Sequence, residues 1–197
     1  MNQHNFRVAI IGSIASGKST ALKIFKQLGI ACYSADDVAR NLLKIGEPAY
    51  LAILNHLGSN YLLANQELNR DKLRAKLIAD PEFKLWLESL MHPKIKKSLI
   101  DTSYSSPYCV LEIPLLKNKQ DYHIERVLLI KTSPVRQHIF LQNRGLNAQE
   151  IAGMLAIQQT DQMCIADDII YNNGTIEELK HNIIMLHQNF LQFIQRR

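Results

Sequence analysis

The chain has 197 residues, 47% of them hydrophobic, and a formal net charge of +5. This length suffices for one α/β core but is short for two independent domains, and the positive charge predicts an anionic partner, either nucleic acid or a phosphorylated small molecule. No apolar run is long enough to span a membrane and the first residues lack the features of a signal peptide, so we expect a cytoplasmic protein without a membrane partner.

The first predicted elements are a strand, a glycine-containing loop and a helix. Residues 8–20 read VAIIGSIASGKST, in which GSIASGKS matches the phosphate-loop template G-x-x-x-x-G-K-S/T. In that template the loop amides and the helix N-terminus cradle phosphates, Lys18 reaches the β- and γ-phosphate oxygens, and the hydroxyl of Ser19 binds Mg²⁺. We therefore predict that ATP contacts the residues of this loop, which are Gly12, Ser13, Ile14, Ala15, Ser16, Gly17, Lys18, Ser19 and Thr20.

A short second strand, ACYSAD, is followed by a helix that we expect to begin near Asp37. In a doubly wound sheet, Asp36 then lies at the carboxyl end of its strand, where ligands collect, and can accept the proton of an acceptor hydroxyl. The alternative is that one of the two acids caps the helix and that Asp36 pairs with Arg40. We assign the cap to Asp37 and the catalytic role to Asp36.

Residues 46–106 interrupt the alternation of strands and helices with several helical patterns, one of them opened by Asp80 and Pro81. We predict that they form a helical insertion that binds the acceptor. Its basic belt either holds the acceptor's phosphates or forms a solvated face; the members are Arg70, Lys72, Arg74, Lys76, Lys94, Lys96 and Lys97. His92, which precedes Pro93, is either a catalytic residue or a structural hydrogen-bonding residue ahead of a helix.

The strand pattern returns in YCVLEIPLL, RVLLIKT and DDIIYN. The whole chain therefore predicts an α/β fold: a P-loop doubly wound parallel sheet of about five strands, with a helical substrate-binding insertion and a helical lid. Glu112, which ends an apolar run, is either a Mg²⁺-orienting residue of a Walker-B-like element or an ordinary strand residue. We predict a single domain with core segments 1–45, 107–133 and 165–197, the insertion at 46–106 and the lid at 134–164.

The predicted lid contains two helices, one opened by Ser133 and one by the capping box of Asn147 and Glu150. It offers two arginines, Arg136 and Arg144, and a guanidinium that closes over the β- and γ-phosphates stabilises the charge of the transition state. Spacing alone does not distinguish such an arginine from a solvated one.

Several stretches, in this order, resemble the dephospho-CoA kinases: GSIASGKST, SADDVAR, NRDKLRAKLIADP, LMHPKI, IPLL and ADDIIYNNGTIEEL. The resemblance extends over nearly the whole chain. It implies transfer of the γ-phosphoryl group of ATP to the ribose 3′-hydroxyl of dephospho-coenzyme A, the last step of coenzyme A synthesis, with Mg²⁺ as the metal. It leaves the oligomeric state open between a monomer and a weak homo-oligomer.

The resemblance also implies roles for individual residues. Asp36 matches the presumed base of the family, Arg40 matches a contact to the acceptor, and Arg144 matches the lid arginine that holds the ATP phosphates. The other residues that the resemblance places on the acceptor side are His92, Pro93, Pro114, Leu115 and Leu116.

The chain departs from the family pattern at several positions. Ser34 stands where the family has the first Asp of its acidic motif, and Ser13 and Ala15 stand where its phosphate loop usually has glycines. Lys117 replaces an aromatic residue, Phe140 stands where the lid often has an arginine, and the stretch QQTDQMCIADD lacks the usual basic residue. Because a lid with fewer cations stabilises the transferring phosphoryl group less, we expect lower turnover than in a typical member.

Two other functions compete with this interpretation. One is a P-loop kinase for another small hydroxyl acceptor, such as a nucleoside or a nucleotide. The other is a nucleotide-dependent switch that binds nucleic acid through the basic belt, which predicts salt-sensitive binding. The sequence has no recognition-helix motif and no N-K-x-D element, so we expect a kinase without a nucleic-acid partner.

Overall fold

The computed structural model describes residues 6–114, 116–157 and 162–196, and these contain five strands and eight α-helices. The strands are β1 (Arg7–Ile11), β2 (Ala31–Ser34), β3 (Cys109–Glu112), β4 (Arg126–Lys131) and β5 (Asp168–Tyr171). The helices are α1 (Lys18–Gln27), α2 (Ala35–Leu42), α3 (Pro48–Leu57), α4 (Arg70–Ala79), α5 (Pro81–Ile100), α6 (Pro134–Gln142), α7 (Ala148–Ile157) and α8 (Ile176–Gln195). The chain forms two compact units: a helical unit, Ser34–Thr102, and a core unit made of the residues before and after it.

The five strands form one sheet with the order β2-β3-β1-β4-β5. β1 pairs in parallel with β3 on one side and with β4 on the other, and β4 pairs in parallel with β5. All five residues of β1 are buried, as expected for a central strand covered on both faces. The predicted α/β fold with a parallel P-loop sheet is therefore confirmed.

An aromatic cluster packs α1 and α8 against the sheet. The ring centroids of Phe25 and Phe190 lie 6.4 Å and 5.5 Å from that of Tyr108, a fully buried residue that precedes β3. The phenolic oxygen of Tyr108 is 2.8 Å from Nδ1 of His187 on α8, so its polar atom is satisfied inside the core. This packing anchors α1, whose first residue is Lys18 of the predicted phosphate loop.

The helical unit has a core of its own. Ile53 of α3, Leu73 of α4 and Phe83 of α5 are buried in one cluster, and Trp86 is packed against it. The imidazole of His56 stacks on the indole of Trp86 with 4.2 Å between ring centroids. The side chain of Asp80 accepts a hydrogen bond from the backbone N–H of Phe83 at 2.9 Å, which confirms the predicted start of α5.

The structure corrects two details of the sequence analysis. Ser34, and not Asp37, caps α2, because its hydroxyl accepts a hydrogen bond from the backbone N–H of Asp36 at 3.3 Å. The helix therefore begins at Ala35, and both acids lie in its first turn, where negative charge is favourable. His92 does not precede a helix: it lies inside α5, which continues through Pro93.

The helical unit also differs in extent from the predicted insertion. It starts at Ser34 and includes α2, whereas the sequence placed α2 in the core and began the insertion at residue 46. The division into core, acceptor-binding insertion and lid stays a prediction. Although α5 and α8 have 20 residues each, no described helix is long and apolar enough to cross a membrane.

Candidate active site

The loop between β1 and α1 requires glycine at both ends of its motif. Gly12 has φ +146°, and a Cβ there would collide with the carbonyl oxygen of Ile130 and lie 2.8 Å from Oγ of Ser16. Gly17 has φ +101°, and a Cβ there would collide with the side-chain amide of Asn172. Because no L side chain fits at either position, the loop presents bare backbone where phosphate binding is predicted.

Ala15, in the middle of the loop, also adopts a left-handed conformation, with φ +56°. This conformation costs an alanine roughly 1–2 kcal/mol relative to a right-handed one. Ala15 is 7% exposed and lies in an apolar cluster with Leu141 of α6 and Ile151 of α7. Ala15 therefore adopts a conformation that favours glycine, the residue that the family usually has at this position, and packing of the Ala15 methyl group offsets part of the strain.

The ammonium group of Lys18 lies across the loop. Its Nζ donates hydrogen bonds to the carbonyl oxygens of Gly12 at 2.7 Å and Ser13 at 2.8 Å. Ser19, next along α1, is exposed, whereas Ser16 is fully buried and its Oγ has no hydrogen-bond partner among the described residues. The ammonium group of Lys18 and the positive N-terminal end of α1 therefore lie at the same short loop. Together they favour the binding of an anion there.

Two side chains that the sequence analysis missed support the loop from outside. Asn172, which follows β5, donates from Nδ2 to the carbonyl oxygen of Ser16 at 2.9 Å. Gln137 of α6 donates from Nε2 to Oγ of Ser13 and to the carbonyl oxygen of Ile14, the latter at 3.0 Å. Asn172 lay within the quoted stretch ADDIIYNNG, but no signal in the sequence pointed to Gln137.

Glu112 lies at the same edge of the sheet as the loop. It is the last residue of β3 and stands in register with Ile10 of β1, two positions before Gly12. The carboxyl ends of parallel strands lie at the same edge of a sheet, and ligands bind at that edge in such folds. Glu112 lies at this edge. Pro114 and Leu116 follow Glu112, with Leu116 buried, and Leu115 lies outside the described residues.

The two predicted lid arginines have different surroundings. Arg136 donates to the backbone carbonyl oxygens of Asn173, at 2.6 Å, and Gly174, and its guanidinium lies 5.3 Å from the centroid of the Phe140 ring. Arg144 follows α6 and is exposed. Arg136 is therefore engaged with backbone, while the side chain of Arg144 is open to solvent. Part of the stretch QQTDQMCIADD, residues 158–161, lies outside the described residues.

The remaining predicted residues belong to the helical unit. Asp36 and Arg40 are exposed residues of α2, and Arg40 forms an ion pair with Asp37. His92 and Pro93 are exposed on α5. Within the described part of the chain, no three His, Cys, Asp or Glu side chains lie close enough together to hold a metal ion between them.

A parallel sheet with a glycine-bounded loop between its central strand and the first helix defines a P-loop nucleotide-binding protein. The model of the dephospho-CoA kinase family matches residues 6–178. The chain therefore belongs to the dephospho-CoA kinase family, whose membership makes it an ATP-dependent kinase.

Individual relatives agree with the family match. A dephospho-CoA kinase of Legionella pneumophila (strain Philadelphia 1) is 36% identical over 194 residues, covering 95% of this chain and 96% of its own. That of Escherichia coli (strain K12) is 36% identical over 194 residues, covering 94% of this chain and 93% of its own.

Solved structures show the same fold. A Thermus thermophilus protein superposes with a TM-score of 0.78 at 23% identity, covering 94% of this chain and 98% of its own. A dephospho-CoA kinase from Campylobacter jejuni superposes with a TM-score of 0.65 at 22% identity, covering 94% of this chain and 97% of its own.

Proposed function

We propose that this chain transfers the γ-phosphoryl group of ATP to the 3′-hydroxyl of dephospho-coenzyme A, giving coenzyme A and ADP. The observation that carries the proposal is the phosphate loop itself, with Lys18 Nζ lying across the carbonyls of Gly12 and Ser13. Family membership supplies the acceptor, because the relatives named above are dephospho-CoA kinases.

The nucleotide phosphates bind to the backbone N–H groups of the loop. Lys18 exchanges its two neutral carbonyl partners for charged phosphate oxygens, and hydrogen bonds between charged groups are the stronger kind. Thr20 and Ser19 follow in the first turn of α1, whose N-terminus adds a positive partial charge. Arg144 is the residue that we expect to close over the phosphates from the 134–164 segment, because Arg136 is already bound to backbone carbonyls.

Ser19 and Glu112 are the residues that we propose for Mg²⁺. A hydroxyl and a carboxylate are hard oxygen donors of the type that Mg²⁺ prefers, and one or two protein ligands suffice because this ion keeps several waters and phosphate oxygens. When bound, Mg²⁺ neutralises negative charge on the phosphates.

Asp36 is the base in this proposal. The alternative structural roles considered for Asp36 were capping α2 and pairing with Arg40. Other residues fill both roles, because Ser34 caps α2 and Arg40 pairs with Asp37. Arg40 and the residues named on the acceptor side (His92, Pro93, Pro114, Leu115 and Leu116) are proposed contacts to dephospho-coenzyme A. Transfer is direct and in line, so positioning and electrostatic stabilisation supply most of the rate. The lower turnover expected from Phe140 stays a prediction.

An ADP-release assay with Mg-ATP tests the proposal, using dephospho-coenzyme A, adenosine, AMP and pantetheine as acceptors. We expect turnover with dephospho-coenzyme A alone. Asp36→Asn should lower kcat by roughly 10²–10⁴-fold, the usual contribution of a general base, while the Kd for ATP stays unchanged. Asp71→Asn, which alters another exposed acid in the first turn of a helix, is the matched control. Near-normal turnover of Asp36→Asn would show that the base is a different residue.

A further inference from the structure

One side chain of α6 reaches the phosphate loop. Gln137 is 8% exposed, and its Nε2 donates to Oγ of Ser13 and to the carbonyl oxygen of Ile14. Both acceptors are loop residues, and both are separated from Gln137 by more than 120 positions in the sequence. The bonds therefore tie the loop to a distant helix.

Apolar contacts surround these bonds. Ala15, Leu141 and Ile151 are buried together, with Ile14 and Phe140 packed against them. Ala15 is the loop residue with the unfavourable left-handed φ of +56°. A residue in such a conformation persists only where its surroundings hold it, and here those surroundings come from α6 and α7.

The direction of the bonded carbonyl gives Gln137 a role beyond packing. In a trans peptide unit, the C=O group and the following N–H group point in opposite directions. A carbonyl of Ile14 that is bound by α6 therefore turns the N–H of Ala15 away from α6. Asn172 does the same two residues later in the loop, because its bond to the carbonyl of Ser16 orients the N–H of Gly17.

We propose that Gln137 is a positioning residue for the nucleotide: by holding the carbonyl of Ile14, it aims the N–H of Ala15 at the ATP phosphates. This inference rests on the proposed function of the loop. It predicts a specific loss of ATP affinity when the Nε2 donor is removed, with the affinity for dephospho-coenzyme A unchanged.

The test compares three variants of the full chain. Gln137→Ala removes both hydrogen bonds, Gln137→Glu keeps the size of the side chain but replaces the donor by a carboxylate, and Gln142→Ala truncates an exposed glutamine of the same helix as a control. Calorimetry gives the Kd for Mg-ATP and, separately, for dephospho-coenzyme A, and thermal unfolding gives the Tm of each variant.

We expect Gln137→Ala to raise the Kd for ATP about tenfold, because the Ala15 N–H is then no longer held toward the phosphates and about one hydrogen bond of ordinary strength is lost on binding. Gln137→Glu should bind ATP at least as weakly, since its carboxylate repels both the Ile14 carbonyl and the phosphates. The Kd for dephospho-coenzyme A should stay within about twofold of the wild-type value, and Gln142→Ala should match the wild type. If Gln137→Ala proves insoluble, Gln137→Glu decides the test, because it fills the same space but has no Nε2 donor for the Ile14 carbonyl.

Two results would overturn the proposal. A lower Tm with an unchanged Kd for ATP would mean that Gln137 only packs α6 on the loop. A parallel loss of affinity for both substrates would mean general disruption. Failure of the proposed function is distinguishable from either, because it would appear as absence of turnover in the wild-type chain with dephospho-coenzyme A.

Discussion

The buried amide of Asn172 offers a quantitative test of how the phosphate loop is held. The side chain is 8% exposed, and its Nδ2 donates to the carbonyl oxygen of Ser16, a residue that is fully buried. Asn172→Ala leaves that carbonyl without its partner, and an unsatisfied buried acceptor costs about 1–3 kcal/mol. We therefore expect the free energy of unfolding to fall by about 2 kcal/mol, which for a chain of this length lowers Tm by about 4–8 °C.

Asn172→Asp sharpens the same test through its pH dependence. The substitution replaces the Nδ2 donor by an oxygen facing the carbonyl of Ser16, so the protonated carboxyl can still donate a hydrogen bond and the ionised one cannot. Burial and the facing carbonyl raise the folded-state pKa of the new carboxyl above its unfolded value. The protonated carboxyl group of Asn172→Asp therefore stabilises the folded state at low pH, and this stabilisation is lost as the pH rises through the folded-state pKa.

Thermal and urea unfolding, followed by circular dichroism between pH 5 and pH 8, provide the measurement. Asn182→Ala, at an exposed position of α8, is the control and should change the free energy of unfolding by less than about 0.5 kcal/mol. An Asn172→Ala variant as stable as the wild type, or an Asn172→Asp variant whose deficit does not grow with pH, would refute the reasoning.

Two further predictions concern thiols and a helix cap. Burial raises the pKa of the Cys32 thiol to about 12 and that of the Cys109 thiol to about 11. In the native chain at pH 8, only the exposed Cys164 should therefore react rapidly with a thiol reagent. Mass spectrometry counts the modified thiols. The hydrogen bond from Lys76 lowers the pKa of Asp80, so Asp80→Ala should destabilise α5 at neutral pH, and this deficit should shrink as the pH falls through the folded-state pKa. The fluorescence of Trp86 reports the unfolding, and a deficit that does not depend on pH would contradict the assignment.

Local signals in the sequence were sufficient to predict the strand, loop and helix of the phosphate-loop motif and the first residues of several other helices. The capping box of Asn147 and Glu150 has both of its reciprocal hydrogen bonds, at 2.9 Å and 2.8 Å. Ser133 likewise accepts a bond from the backbone N–H of Arg136. These features involve residues three positions apart, so a short stretch of sequence contains all the information that determines them.

Other features depend on contacts that no short stretch contains. The bond of Asn172 joins residues 156 positions apart and that of Gln137 to Ser13 joins residues 124 positions apart, so neither could be read from spacing. The helix through Pro93 was missed for a related reason. Proline normally ends a helix, but Phe83, Met91 and Leu99 are buried along α5, and their packing compensates for the missing backbone hydrogen bond.

The position of β1 in the sheet has a consequence for how the chain assembles during synthesis. β1 lies between β3 and β4, which begin only at Cys109 and Arg126, whereas Ser34–Thr102 is a compact unit with its own core. The helical unit is therefore synthesised completely before either strand that pairs with the apolar RVAII segment. Unpaired apolar strands are aggregation-prone, so the segment that leads into the phosphate loop needs shielding in the nascent chain until β3 and β4 have been made.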